Sequence, residues 1–329
     1  MSSKRRACPG GAFRAAIIFA SSFWLVAAGN AFAASYPERP IKLIVPWAAG
    51  GDTDSIYRVF VPLLQKQLGQ PVIVANVGGA SGTVGEREAS KAAPDGYTVF
   101  APHDFIHSVY FAGLTDIKYD KAFDTICLVA STPSVITASP KTSWKTFKEM
   151  VAAAKAHPDT ITVGASLGST SQYSIALMAK AAQLKLKYVP YDGTAKRMNA
   201  LLGGHIDLAD SNLTQKAKVD AGLLKFLAIM SEKRSPELPD VPTLKELGYD
   251  VEYAVNRGLM VPKGVPAEIR AKLESACATA AKDPSFAEAM KLQGTNVRYL
   301  DSKDYTAFLQ KEDGVTKEIT KDLGLLKRE

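Results

Sequence analysis

The chain is poor in the residues that build crosslinks and metal centres. Its 329 residues include three cysteines and four histidines. Only Cys127 and Cys277 lie beyond the N-terminal leader described below, and two cysteines do not make a disulfide framework. Both read as small buried apolar residues, although an oxidising compartment leaves a bond between them chemically open. Cationic runs are also missing. Lysine and arginine are scattered rather than gathered on one helix, which argues against a nucleic-acid footprint. Past the leader no stretch is apolar enough for the roughly 20 residues that span a bilayer, so a soluble chain is expected. There is no internal repeat and no low-complexity tract.

The leader carries Lys4, Arg5, Arg6 and Arg14 ahead of a nearly uncharged run over 15–28, and Ala31-Phe32-Ala33 supplies small residues for cleavage after Ala33. This is the layout of a secretory signal. Cys8 precedes the apolar run, so a lipid anchor is not expected. Removing the leader takes four basic residues and no acidic ones, which leaves 36 Lys and Arg against 33 Asp and Glu, a net of +3. The apparent basicity is therefore mostly the leader's. The remaining 296 residues suffice for two domains.

Apolar runs and amphipathic stretches alternate along the mature chain. Strands are expected over 41–45, 71–77 and 97–101, with a helix over 54–68 whose Ile56, Val59, Phe60, Leu63 and Leu64 keep near the 3.6 period. The rhythm resumes after Lys141, with helices over 144–156, 171–182, 194–202 and 215–222 and strands over 160–165, 186–190, 206–209 and 226–230. Two α/β units with parallel sheet follow, joined near 129–137. A surface loop is expected over 236–242 and a helical tail from 267.

Four segments share one design, a small, polar, Gly-rich turn from strand to helix: Ala49-Gly50-Gly51-Asp52-Thr53-Asp54, Gly78-Gly79-Ala80-Ser81-Gly82-Thr83, Gly164-Ala165-Ser166-Leu167-Gly168-Ser169-Thr170 and Tyr191-Asp192-Gly193-Thr194. A helix start offers free N–H groups and the positive end of a dipole, which suits a carboxylate or phosphate. Each turn alone reads equally as a tight turn with an N-cap. Four of them at strand ends, two in each unit, outline a cleft.

Sharper chemistry is incomplete. Gly164-Ala165-Ser166-Leu167-Gly168 fits the nucleophile elbow of α/β-hydrolases, but the only later histidine, His205, stands in a helix-to-strand turn, and no acid-then-histidine order follows. His103-Asp104-Phe105-Ile106-His107 resembles a zinc-peptidase pair without an identifiable third ligand. Gly79-Ala80-Ser81-Gly82-Thr83-Val84-Gly85 is not the dinucleotide spacing, and no phosphate-loop lysine follows.

Eight landmarks in order resemble one family. They are Tyr36-Pro37-Glu38-Arg39-Pro40-Ile41, Val45-Pro46-Trp47-Ala48-Ala49-Gly50-Gly51-Asp52-Thr53-Asp54 with Arg58, Leu68-Gly69-Gln70-Pro71-Val72, Ala93-Pro94-Asp95-Gly96-Tyr97-Thr98, Tyr119-Asp120, Val189-Pro190-Tyr191-Asp192-Gly193, Leu202-Gly203-Gly204-His205-Ile206-Asp207 and Leu238-Pro239-Asp240-Val241-Pro242-Thr243. They are similar to the substrate-binding receptors of tripartite tricarboxylate transporters, the Bug receptors. The resemblance implies an α/β fold of the type II periplasmic-binding-protein kind, with lobe 1 over 34–132 and 257–329 and lobe 2 over 133–256. It implies a periplasmic, monomeric receptor without cofactor, metal or nucleic acid. That receptor closes on a small organic acid and delivers it to integral-membrane transporter subunits. An exported hydrolase using Ser166, or a receptor feeding a signalling partner, are the alternatives. The residues implied at the ligand are Gly50, Gly51, Asp52, Thr53, Asp54, Ala80, Ser81, Gly82, His107, Ser166, Gly168, Ser169, Thr170, Tyr191 and Asp210.

The chain departs from the family pattern at Pro102-His103-Asp104-Phe105-Ile106, at Gln172-Tyr173 and at Asn256-Arg257. Asp52 either points to solvent or meets a donor on the ligand, with Arg257 then supplying the countercharge for a carboxylate. The second reading implies an acid that bears a donor group or ring.

Overall fold

The structure is a computed structural model that describes residues 36–329; the leader and its expected cleavage after Ala33 lie outside the described residues. Two mixed sheets share the chain. The first half of one runs β1 (Ile41–Val45), α1 (Asp52–Leu68), β2 (Val72–Asn76), α2 (Thr83–Ser90) and β3 (Thr98–Phe100). β1 lies between β2 and β3, parallel to both, and Ile41, Leu43, Ile44 and Val45 are all buried, as a strand covered on both faces requires. α1 buries Ile56, Tyr57, Phe60, Val61, Leu64 and Leu68. It ends at Gly69, whose φ of 68° closes the last turn through a bond to the Gln65 carbonyl.

After α3 (Phe105–Phe111) and α4 (Tyr119–Ala122), the long strand β4 (Phe123–Pro133) carries the chain out of this sheet. The expected joint near 129–137 is thus strand, interrupted only at Ser134. The second sheet orders β7-β6-β8-β5-β9, from β5 (Val135–Ala138), β6 (Thr162–Ala165), β7 (Lys187–Pro190), β8 (Leu208–Ser211) and β9 (Lys225–Ile229). Its helices are α5 (Phe147–Ala156), α6 (Thr170–Ala181), α7 (Thr194–Gly203) and α8 (Lys216–Asp220). The chain returns through β10 (Ala254–Pro262), antiparallel to β4 and β3. A ring of backbone bonds laces the two passages: Ser134 N–H to the Tyr253 carbonyl, Tyr253 N–H to Met230, and Met230 N–H to Ser134.

The tail is not wholly helical. Between α9 (Ala267–Ala281) with α10 (Pro284–Leu292) and α11 (Ser302–Asp322) lies β11 (Asn296–Leu300), an edge strand paired with β4. Five half-exposed residues between helices give too short a pattern to be read against them. Cys127 on β4 and Cys277 on α9 are fully buried, as expected of small apolar residues, but their sulfurs are bonded to each other across 150 residues of sequence. Each sheet has its own core, around Leu43, Phe60, Phe100 and Phe286 in the first and Ile136, Phe147, Val163 and Ile175 in the second.

One core residue is out of character. Glu86 on α2 is fully buried, and among the described residues its carboxyl makes no well-formed hydrogen bond, with only the Thr115 hydroxyl set against it. Burial pushes its pKa from the ordinary 4.5 up to about 8, with Thr115 and Arg87 countering only part of the shift. The folded chain therefore keeps a proton that the unfolded chain releases. Stability from this group is complete below pH 4.5 and is lost as the pH rises toward 8. Glu86→Gln should raise stability at pH 7 by on the order of 2–3 kcal/mol and flatten the decline between pH 5 and 8. Thermal melting across that range is the check. A variant that melts no higher than wild type at pH 7 would show that this carboxyl is hydrated.

Candidate functional site

The four glycine-rich turns follow β1, β2, β6 and β7, at the carboxyl ends of parallel strands, where ligands of open α/β sheets bind. In the first turn Gly50 has a φ of 77°. Its N–H donates to Asp54 Oδ2 at 2.9 Å, while Arg58 Nε and Asn76 Nδ2 donate to the same carboxylate. Burial works against that charge, but Arg58, Gly50 and Asn76 outweigh it and hold the pKa below the usual range. Asp54 is thus spent on bracing its own turn. In the second turn Gly79, Ala80, Ser81 and Gly82 all take positive φ, a rare run for two non-glycine residues. Ser81 Oγ donates across to the Leu167 carbonyl of the third turn at 2.7 Å. A Cβ on Gly82 would meet the Phe105 ring at 2.7 Å.

Between the sheets these turns close on a cavity of about 30 Å³, room for roughly two waters. One wall presents Trp47, Gly51, Asp52, Thr53, His103 and Arg257, and the facing wall presents Ser166, Ser169, Thr170, Thr194, Arg197 and Asp210. Of the residues expected at the ligand, Gly51, Asp52, Thr53, Ser166, Ser169, Thr170 and Asp210 line it. Gly50, Asp54, Ala80, Ser81, Gly82, Gly168 and Tyr191 shape or join the turns behind it. His107 stands apart, buried on α3 with Nδ1 2.6 Å from Asp313 Oδ1 on α11. The histidine in the cleft is His103, stacked parallel to Trp47 at 5.1 Å.

Asp52 does not point to solvent. Its carboxylate accepts from Arg257 Nη2 at 2.6 Å on its own lobe, and from Thr194 Oγ1 at 2.8 Å and Asn212 Nδ2 at 3.1 Å on the other. Burial opposes the charge; Arg257 and Thr194 more than compensate and lower the pKa. Arg257, 1% exposed, is equally committed. It also donates to Thr53 Oγ1, Thr132 Oγ1 and the Val255 carbonyl. The countercharge of Arg257 is therefore Asp52 itself. Two departures from the family pattern prove to be one unit. His103 bridges to Arg257 in the sheet, and Asp104 accepts from both the backbone and side-chain N–H groups of Asn256.

The other lobe carries a second charged pair. Arg197 on α7 is 4% exposed and donates to Ser166 Oγ at 3.4 Å and Thr194 Oγ1 at 3.2 Å. Its nearest carboxylate, Asp210 on β8, is 3.9 Å away. Burial pushes the Asp210 pKa up to about 6, with Arg197, Ser134 and Ser174 opposing. Burial and the neighbouring Arg257 lower His103 to about 3, so the imidazole is neutral. Its Nδ1 accepts from Phe105 N–H at 3.1 Å, which places the proton on Nε2. Sequence reasoning missed Arg197, yet α7 buries Thr194, Arg197, Met198 and Leu201 on one stripe, and an arginine on that stripe was the available signal.

The chemistry available here is recognition. Ser166 Oγ donates to the Tyr191 carbonyl and accepts from Gly193 N–H and Arg197. No histidine or carboxylate touches it, so nothing activates a nucleophile. His103 and His107 face different neighbours, and among the described residues no three His, Cys, Asp or Glu side chains gather as a metal site.

Comparison with known proteins agrees with this geometry. The family described as "Tripartite tricarboxylate transporter family receptor" matches residues 56–325. A UPF0065 protein in the TAR-I ttuE-ttuC' intergenic region of Agrobacterium vitis is 37% identical over 267 residues, covering 79% of this chain and 77% of the relative. The solved periplasmic binding protein BugD superposes with a TM-score of 0.84 at 33% identity, over 89% of this chain and 100% of that one. MatC from Rhodopseudomonas palustris, solved with bound malate, gives 0.80 at 28% identity, over 86% and 99%. The fold is the two-lobe α/β architecture of periplasmic binding proteins. This chain belongs to the tripartite tricarboxylate transporter receptor family, which consists of solute-binding receptors and not of enzymes.

Proposed function

We infer that this chain is a periplasmic receptor. It captures a small organic carboxylate or dicarboxylate between lobe 1 (34–132 and 257–329) and lobe 2 (133–256), and the closed form delivers it to the integral-membrane subunits of a tripartite tricarboxylate-type transporter. The observation that carries this reading is the polar cavity between the two sheets, onto which Arg197 opens, buried and with its nearest carboxylate as far as 3.9 Å away. Such a site is completed only when the lobes meet, so ligand binding and closure are one equilibrium. One chain supplies both walls, and a monomer suffices. The malate held by MatC supports an acid as the cargo, and the family supports the membrane partner.

The test is a thermal-shift screen of mono-, di- and tricarboxylates. An acid present at 100 times its Kd should stabilise the fold by about 2.7 kcal/mol, or roughly 5–10 °C in Tm. The same acid should reduce the radius of gyration in small-angle scattering. A panel in which no acid moves the Tm would overturn the reading.

A further inference from the structure

Besides the cleft, the two lobes leave a groove of about 350 Å³ between α6 of one and α11 of the other, the size of a small-molecule pocket. Its sides are apolar. Tyr173 and Leu177 stand one turn apart on α6, and Val315 and Ile319 do the same on α11. Its charge is lopsided, with Asp104, Glu232, Glu252 and Glu312 against Arg298 alone. Glu252 is spent on Lys245, and Arg298 on Asn256 Oδ1 and the face of Phe308. Asp104 is not spent. It is 9% exposed, and both bonds it accepts, from Asn256 N–H and Nδ2, fall on Oδ2. Among the described residues nothing donates to its Oδ1. Glu312, half-buried on α11, meets no hydrogen-bond donor; His107, Arg298 and Lys311 act on it only through space. The Tyr253 hydroxyl is likewise unbonded, and the charges of Asp104 and Glu312 both bear on it. Three polar groups without a shared partner thus meet in one groove.

A buried carboxylate oxygen calls for a donor, and a buried negative charge for a positive one. Burial, with Glu312 adding to it, pushes the Asp104 pKa up to about 6 against the pull of Asn256 and His107. That is the direction of a carboxylate short of a countercharge. The walls say which kind of cation fits. Among the described residues no three His, Cys, Asp or Glu side chains gather as a metal site, whereas aliphatic walls suit a carbon skeleton and the rings of Tyr173 and Tyr253 suit a cation attached to one. The three stretches at which the sequence departs from the family pattern each place a residue here, Asp104, Tyr173 and Asn256. We propose that this groove is a second binding site, for a small organic ammonium with an apolar body. Asp104 Oδ1, Glu312 and the Tyr253 hydroxyl take the ammonium, and α6 and α11 enclose the skeleton. Because each lobe supplies one side, an occupant also favours the lobe arrangement seen here.

The experiment is calorimetric titration of the mature chain with benzylamine, phenethylamine and hexylamine, each beside the alcohol of the same skeleton. At about pH 8 the amines are protonated and Asp104 is ionised. The best amine should bind about tenfold or more tightly than its alcohol, the scale of one hydrogen bond to a charged group. Glu312→Gln should weaken that amine severalfold. Glu312→Lys, which sets a resident ammonium in the groove, should abolish its binding. Both variants should melt near wild type, since this half-buried side chain has no bonded partner to lose. Alcohols that bind as tightly as the amines would overturn the inference, and so would an amine that Glu312→Lys still holds, since it would then sit elsewhere. Failure of all three amines would refute the second site and leave the carboxylate receptor standing. Were Glu312→Lys not to fold, the wild-type ratios and Glu312→Gln decide the matter.

Discussion

Arg257→Ala should lower folding stability by about 3–5 kcal/mol, the loss expected when one partner of a buried ion pair is removed. The guanidinium is 1% exposed and touches both strand and turn. Its removal leaves the Asp52 carboxylate with only Thr194 and Asn212 and takes a donor from the hydroxyls of Thr53 and Thr132, of which Thr132 keeps Thr295. The chain has one route of relief: parting the lobes hydrates Asp52, at the expense of its contacts with Thr194 and Asn212. The loss should therefore come with a larger radius of gyration. Asp52→Asn combined with Arg257→Met removes both charges together and should recover most of the stability, since an apolar replacement of similar volume carries no uncompensated charge. Urea denaturation of the single and double variants is the check. A single variant within 1 kcal/mol of wild type, on the scale of exposed pairs, would mean that water already reaches this pair.

Replacing Cys127 and Cys277 together by alanine should cost about 2–4 kcal/mol, with the long closed loop favouring the upper end. The bond spans 150 residues and fixes β4 to α9, so its loss frees the unfolded chain far more than it disturbs the core. Both sulfurs are fully buried. Reductant should accordingly act only through the unfolded form, and the native protein should hold the bond in millimolar dithiothreitol until denaturant is added. Equal urea midpoints for oxidised and reduced protein would refute the role assigned to the crosslink.

Much of the fold was legible because the first two strands are apolar runs that lead into glycine turns. The stretch 41–45 alternates with nothing else, and the helix after it shows its stripe from Ile56 to Leu68. Less was legible where identity depends on distant partners. Asp52 and Asp54 are two residues apart on one helix start. Only the fold shows that Asp54 turns back to Gly50 and Arg58 while Asp52 reaches Arg257, 205 positions later. His103 and His107 suggested one metal pair, and the short α3 sends one to Trp47 and the other to Asp313. The strand β11 was hidden inside a helical tail because five residues cannot establish a period against flanking helices. The pairing of two cysteines so far apart leaves no local trace.

The charges that line the cleft cancel. Two arginines and two aspartates line it in pairs, Arg257 with Asp52 at 2.6 Å and Arg197 with Asp210 at 3.9 Å, and the imidazole of His103 on the same cavity is neutral. Opposed charges at such spacing leave little field beyond one Debye length, about 8 Å at physiological ionic strength. The site therefore does not draw anions from a distance, as a cleft lined by one sign would. Encounter is left to diffusion, and discrimination begins when a solute is already between the walls. Salt in the surroundings has little to screen, and capture can proceed at much the same rate in dilute and in concentrated media.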